Sequence, residues 1–283
     1  MMIQCRDLRK SYDTRNVLKG IRLDIPKGSI FGLLGPSGAG KTTLIKILTG
    51  QIHQDDGIVS VFGRNSACLT GREKKKFGIM MDNFGVYDRF SCGDNLSIYA
   101  DIYGVSRERI RCVLKEVGLE DAYKKSASDL SKGMRARLQL ARAFIHDPEI
   151  IFLDEPTSGL DPQTMRGIHR LILEKKNAGC TIFLTTHNME EAAKLCDKVA
   201  LLNEGEIVEE GKPEDICRRY DHQKKIKIHL SNGENVELDR GETAAGKISE
   251  LLRTGMLVTI HSTEPTLESV FLELTGRKLE EDE

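Results

Sequence analysis

Tryptophan is missing altogether from the 283 residues, and that absence says nothing about mechanism. Other scarcities exclude more. No apolar run approaches the roughly 18 to 20 residues that a membrane-spanning helix needs, and the start Met1-Met2-Ile3-Gln4-Cys5-Arg6-Asp7 lacks the apolar stretch of a secretory signal. The chain is therefore expected to stay in the cytosol. Excess charge of either sign is lacking too: 42 Lys+Arg stand against 43 Asp+Glu, a formal net charge of -1. No surface for polyanions is advertised, and nucleic acid is not an expected partner. The seven cysteines, Cys5, Cys68, Cys92, Cys112, Cys180, Cys196 and Cys217, are odd in number and scattered. None falls in a Cys-x-x-Cys pair or interleaves with histidine at metal spacing, so they read as reduced structural thiols.

What is present fits a soluble globular protein, with 39% hydrophobic and 30% charged residues. The length allows one large α/β domain plus a small appendage, or two modest domains. Up to about residue 217, apolar strand-like runs alternate with helical patterns, which predicts an α/β domain with a mostly parallel sheet. Ser29-Ile30-Phe31-Gly32-Leu33-Leu34, Ile150-Ile151-Phe152-Leu153 and Thr181-Ile182-Phe183-Leu184 are apolar enough to be buried on both faces. Each is followed at once by polar, reactive residues, which places one site along the carboxyl edge of the sheet.

Between about residues 84 and 146 the pattern turns helical and predicts a subdomain inserted between strands. Ile110, Val113, Leu114 and Val117 keep helical spacing, with Ser106 placed to cap and Gly118 to terminate. Further on, Met134, Leu138, Ala141 and Ile145 share a helical face, while Arg135, Arg137 and Arg142 read mostly as a solvated one. Residues 222–283 form a separate α+β appendage: alternation in 225–230, the turn pair Asn232-Gly233, alternation in 235–238, a strand at 256–260. A helix opened by Pro265 with Leu267, Val270, Phe271 and Leu274 as its apolar stripe follows, and the charged end from Lys278 to Glu283 reads as a frayed tail.

Gly35-Pro36-Ser37-Gly38-Ala39-Gly40-Lys41-Thr42 fits G-x-x-x-x-G-K-[ST], with a strand before it and a helical run from Thr43 after it. The glycines leave backbone N–H groups free to wrap a phosphate chain, the helix start adds its positive dipole end, and Lys41 adds charge for the outer phosphates. Thr42 is placed to ligate Mg2+. The strand at 150–153 delivers Asp154 and Glu155 to the same edge: Asp154 to hold Mg2+, and Glu155 to polarise the water that attacks the γ-phosphate. His187, after the strand at 181–186, lies at the same edge as a hydrogen-bond donor near that phosphate. Leu130-Ser131-Lys132-Gly133-Met134 leads into a helix from Arg135 to Ile145, and reads either as a second anion-binding surface or as a plain helix cap.

Taken in order, these residues resemble an ABC transporter nucleotide-binding domain over nearly all of positions 1 to 217. The resemblance implies a P-loop NTPase core with a mostly parallel sheet, the inserted helical subdomain and the appendage, and ATP hydrolysis as the activity. It casts Tyr12 as the residue stacked on adenine, Gly35 to Thr43 as the Walker A loop, Leu130 to Met134 as the signature motif, Asp154 and Glu155 as the end of Walker B. Ser158-Gly159-Leu160-Asp161 becomes the D-loop and His187 the switch histidine. In that family two domains meet head to tail, so Ser131 and Gly133 of one protomer complete the ATP site built by Lys41 of the other. The implied partners are a second copy or a similar ATPase, and a separate membrane permease on whose cytoplasmic side the chain sits.

Two departures narrow the resemblance. The signature reads Leu-Ser-Lys-Gly-Met where Leu-Ser-Gly-Gly-Gln is commonest, and Asp82 stands at the place of the usual Q-loop glutamine as a further Mg2+ ligand. Both are similar to exporter subunits of the bacitracin and lantibiotic-immunity type, and Glu264-Pro265-Thr266-Leu267-Glu268-Ser269-Val270-Phe271 is similar to the tail of drug-exporter subunits. An antibiotic-like, peptide or lipid-like cargo for export follows from that likeness. Phe84, Val86, Tyr87 and Phe90 form either the surface that meets the permease or packing within the helical subdomain. An ABC-type ATPase outside transport, or an ATP-binding regulator with little turnover, are the alternative readings.

Overall fold

The computed structural model describes residues 1–81, 85–222 and 224–276. Asp82, Phe84 and the charged tail from Lys278 lie outside the described residues, and so do the expectations that rest on them. The described residues divide into two compact units, one from Met1 to Gly211 and one from Lys212 onward.

The first unit begins with β1 (Ile3–Tyr12) and β2 (Arg15–Ile25), then passes through β3 (Ile30–Leu34) into α1 (Lys41–Leu48). After β4 (Asp56–Val61), β5 (Arg64–Asn65) and α2 (Gly71–Lys74), β6 (Phe77–Met80) leads to the helical region α3 (Cys92–Tyr103), α4 (Arg107–Glu116) and α5 (Lys132–Phe144). The chain returns through β7 (Ile150–Asp154), α6 (Pro162–Asn177), β8 (Thr181–Thr186), α7 (Met189–Leu195), β9 (Lys198–Asn203) and β10 (Glu206–Gly211).

The main sheet has the order β10-β9-β3-β8-β7-β6, parallel throughout except for the β10 edge. Every residue of β3, β7 and β8 is buried, the burial on both faces that central parallel strands require. Phe31, Phe183, Phe152 and Phe77 run across this sheet, with neighbouring ring centroids 5.4 to 5.9 Å apart. Burying each such side chain contributes roughly 1.5 to 3 kcal/mol. Since β3, β8 and β7 are consecutive in the sheet, the loops after Leu34, Thr186 and Asp154 must emerge side by side.

A second sheet, β2-β1-β4-β5, is antiparallel, and the expectation of one mostly parallel sheet did not include it. Ile3, Cys5, Leu8, Ile21, Leu23 and Ile25 turn inward from it and are 2% exposed or less. Repeated register shifts along β1 blur the alternation that would otherwise mark these strands.

In the helical region Ser91 caps α3 by accepting from the Asp94 N–H at 3.1 Å, and Ser106 occupies the cap position of α4. Two of the three arginines of α5 are not the solvated face expected of them. Arg135 Nη1 meets Asp88 at 2.6 Å, and Arg142 Nη2 donates to the Ile79 carbonyl at 2.9 Å while lying over the Tyr99 ring. Both side chains spend their charge inside the protomer, holding α5 to the segments beside it.

The second unit holds α8 (Pro213–Arg219), β11 (Lys225–Leu230), β12 (Asn235–Asp239), α9 (Glu242–Arg253), β13 (Leu257–Ser262) and α10 (Leu267–Thr275). Its antiparallel sheet has the order β12-β11-β13, with Asn232 and Gly233 in the turn of the hairpin. In α10 the buried side chains are Leu267, Val270 and Phe271. Its cap is Thr266, accepting from the Ser269 N–H at 3.2 Å, so Pro265 precedes the cap instead of opening the helix.

Candidate active site

Three strand ends and one helix start build the site. The loop after β3 folds back so that the Lys41 ammonium donates to the Gly35 carbonyl at 2.6 Å and the Pro36 carbonyl at 3.3 Å. Gly40, the residue before α1, has φ +113°, and an added Cβ would lie 2.8 Å from Leu18 Cδ2; only glycine fits there. No side chain caps α1, which leaves its first N–H groups pointing toward the cleft. That cleft, about 370 Å³, is lined by Tyr12, Ser37, Gly38, Gly40, Lys41 and Thr43 together with Thr42, Asp154 and Glu155. Ala39 is buried beneath the loop, its N–H donating to the Pro36 carbonyl at 3.2 Å.

The carboxylates enter from β7. Asp154, 5% exposed, accepts from Thr42 Oγ1 at 2.8 Å and from the Thr185 hydroxyl at the end of β8. Glu155 has φ +50°, a left-handed conformation that costs a non-glycine residue free energy and is kept only where surrounding contacts enforce it. Those contacts are visible: Lys41 Nζ lies 3.0 Å from Glu155 Oε1, and His187 Nδ1 lies 2.9 Å from Oε2. The Glu155 N–H also donates to the Thr185 carbonyl at 3.1 Å. A helix-start lysine, a strained glutamate and a strand-end histidine thus form one connected cluster.

Among the described residues no group of three or more His, Cys, Asp or Glu could hold a metal ion by itself. The donors present still suit Mg2+, which takes one or two protein oxygens and completes its shell with phosphate and water. The Thr42 hydroxyl and Asp154 carboxylate, side by side at the cleft, are that kind of pair.

Ser131 and Gly133 stand apart from this cluster. Ser131 caps α5, accepting from the Met134 N–H at 3.3 Å, is exposed, and does not line the cleft that holds Lys41. Gly133 packs so closely that an added Cβ would lie 2.8 Å from Thr164 Cγ2. Sequence reasoning overlooked three contributors. Arg15 and Val17 line the cleft beside Tyr12, and nothing in a strand-start Arg-Asn-Val announces a nucleotide wall. Thr185 was findable, because a hydroxyl at the end of an otherwise apolar buried strand needs a partner, and Asp154 is that partner.

Comparison with known proteins adds the family context. A family model described as ABC transporter matches residues 18–158. The linearmycin resistance ATP-binding protein of Bacillus subtilis is 30% identical, the match covering 98% of this chain and 99% of that protein. The fluoroquinolones export ATP-binding protein of Mycobacterium tuberculosis is 36% identical over 93% of this chain and 88% of its own length. The Nod factor export ATP-binding protein I of Rhizobium etli is 33% identical, with coverages of 98% and 94%. Among solved structures, the ATP binding subunit of an ABC transporter matches with TM-score 0.70 at 29% identity, covering 78% of this chain and 93% of that one. A dimeric ATP-binding cassette in a post-hydrolysis state, bound to ADP and Pi, matches with TM-score 0.68 at 26% identity, covering 75% and 98%.

Proposed function

This chain belongs to the ABC transporter family as an ATP-binding and ATP-hydrolysing subunit, and from that premise we propose that two copies, or this chain and a similar ATPase, meet head to tail over two ATPs. The observation that carries the reading is the separation within one protomer: Ser131 is presented to solvent at the start of α5 and is absent from the cleft built by Lys41. A second chain arriving with its own Ser131 and Gly133 would complete that cleft.

Within each site the geometry supports the following roles. Tyr12, 46% exposed, offers a flat ring to the base at the outer wall. Backbone N–H groups of the loop from Gly35 to Thr43 and the Lys41 ammonium take the phosphates. Thr42 and Asp154 would hold Mg2+, which supplies charge neutralisation on the phosphate oxygens. Glu155 orients the attacking water and receives its proton, and His187, already in contact with Glu155, donates toward the γ-phosphate and keeps the glutamate aligned. Polyphosphate competes with Glu155 for Lys41, so nucleotide entry frees the carboxylate for water.

The permease would dock beside this site. A larger cavity of about 580 Å³ shares Thr42 and Asp154 with the ATP cleft but lacks its glycine loop; Lys46, Gln51, Ile79, Tyr99, Tyr103 and His146 line it. A phosphate chain belongs with the glycine loop, so the larger cavity suits a partner helix. Close to α3, Tyr87 and Phe90 are 52% and 44% exposed with ring centroids 5.5 Å apart, which favours contact with a partner over internal packing. No helix among the described residues is long and apolar enough to cross a membrane, so the chain reaches the cytoplasmic face through that permease. The export names of the relatives support an amphipathic antibiotic-like, peptide or lipid-like cargo.

The test of the shared site uses two inactive variants. Lys41→Ala and Ser131→Arg are each expected to lose ATPase activity alone, yet mixing them should restore turnover, because one site of the mixed dimer then has both an intact Lys41 and an intact Ser131. A mixture that dimerises and stays inactive would overturn the head-to-tail reading.

A further inference from the structure

The carboxylate pair has a second side. Behind it lies a cavity of about 210 Å³ whose walls include Lys132, Arg135, Gln139, Ser158 and again Asp154 and Glu155. Asp154 and Glu155 therefore form a partition between this space and the ATP cleft. Gln139, on the inner face of α5, is 6% exposed, and its Nε2 has no hydrogen-bond partner among the described residues. A buried amide without a partner is costly and uncommon, and its presence in a native core asks for a bound water or a function. The cavity has room for several waters at about 30 Å³ each, and the carboxylates across it retain acceptor capacity. Each oxygen of Asp154 and Glu155 meets a protein donor or cation but carries two lone-pair directions.

We propose that Gln139 is a positioning residue for hydrolysis, holding the water that bridges the back of the Asp154–Glu155 pair and so fixing Glu155 for attack on the γ-phosphate. This rests on the reading of Glu155 given above. Gln139 stands eight positions beyond Ser131 on the same helix, about 12 Å along its axis at 1.5 Å per residue. One end of α5 thus addresses the partner's nucleotide while its third turn addresses the protomer's own carboxylates. A shift of α5 on ATP closure is transmitted to Glu155 through that water.

Gln139→Met keeps the volume of the side chain and removes its donor. In the full-length chain it is expected to lower kcat by about 10-fold, the lower end of what loss of an outer-shell contact costs. KM for ATP, nucleotide affinity and Tm should stay at wild-type values, and Gln139→Asn should recover part of the rate through one more water. A Gln139→Met enzyme with wild-type kcat overturns the proposal, as does a kcat loss accompanied by a matching fall in Tm or rise in KM. If that variant does not fold, Gln139→Ala is read by the same criteria. Added to Glu155→Gln, the Gln139→Met change should cost nothing further, because both act through one step; a full second loss would overturn it. Should Glu155→Gln alone hydrolyse ATP normally, the assignment of Glu155 fails, a result separable from any result at Gln139.

Discussion

Helices α1 and α5 begin in opposite ways. At α1 no side chain caps the first turn and Gly40 holds a backbone that only glycine adopts comfortably, so the N–H groups are left for an incoming anion and Lys41 waits within the loop. At α5 the Ser131 hydroxyl satisfies the Met134 N–H itself, and the helix start lies open to solvent. The first terminus has its charge, strain and carboxylates in place. The second is stable alone; in the head-to-tail arrangement proposed above it would become chemically useful when another chain brings a phosphate to it. A helix N-terminus is thus not a site in itself; what surrounds it decides.

The most severe break of this comparison removes the chemistry and leaves both termini intact. Glu155→Gln is expected to lower turnover by on the order of 10² or more while ATP binding persists and the closed dimer accumulates, as read by steady-state ATPase assay and size-exclusion chromatography with ATP. Undiminished turnover would mean that the strained residue at the end of β7 is not the base. The next break acts on α1 alone. Lys41→Ala should weaken ATP binding by about 10²-fold, the upper end for loss of a charged hydrogen bond, in a titration with a fluorescent nucleotide. Unchanged affinity would make the two termini equivalent after all.

How much of this was legible beforehand differs between the local and the non-local features of the site. The loop at α1 announces itself because its glycines, lysine and threonine are dictated by local backbone geometry, and local geometry is written locally. Asp154, Glu155 and His187 were placed by the same logic, since a buried apolar run ending in a polar residue marks a strand end. What stayed hidden is non-local. The left-handed turn at Glu155 is held by Lys41 at the start of α1 and His187 just after β8, and no neighbour in sequence signals it. Arg135 and Arg142 look like surface charge by helical periodicity, and only their pairing with Asp88 and the Ile79 carbonyl makes them internal ties. The β1–β2–β4 sheet was lost to register shifts, and Gln139 looks like any polar residue on an amphipathic helix until the cavity beside it is seen.

The smallest effect probes how α5 is carried. Its helical region is tied to the rest of the first unit by Glu116 of α4, which pairs with Arg109 and, at 2.9 Å, with Lys175 of α6. Burial pushes the Glu116 carboxyl up, but the hydrogen bonds from Arg109 and Lys175 prevail and hold it below the ordinary carboxylate range. A carboxylate so depressed stabilises the fold above its ordinary pKa of about 4.3, and that contribution disappears as pH falls through the lowered folded value. Glu116 is partly exposed, so screening keeps the contribution under about 1 kcal/mol. Glu116→Gln should therefore speed amide hydrogen exchange in α4 and α6 at pH 7, with α1 unaffected and the difference shrinking in high salt or in acid. Equal acceleration in α1 would show that the two helix starts share one rigid support, and the contrast between a fixed half-site and a carried one would fail.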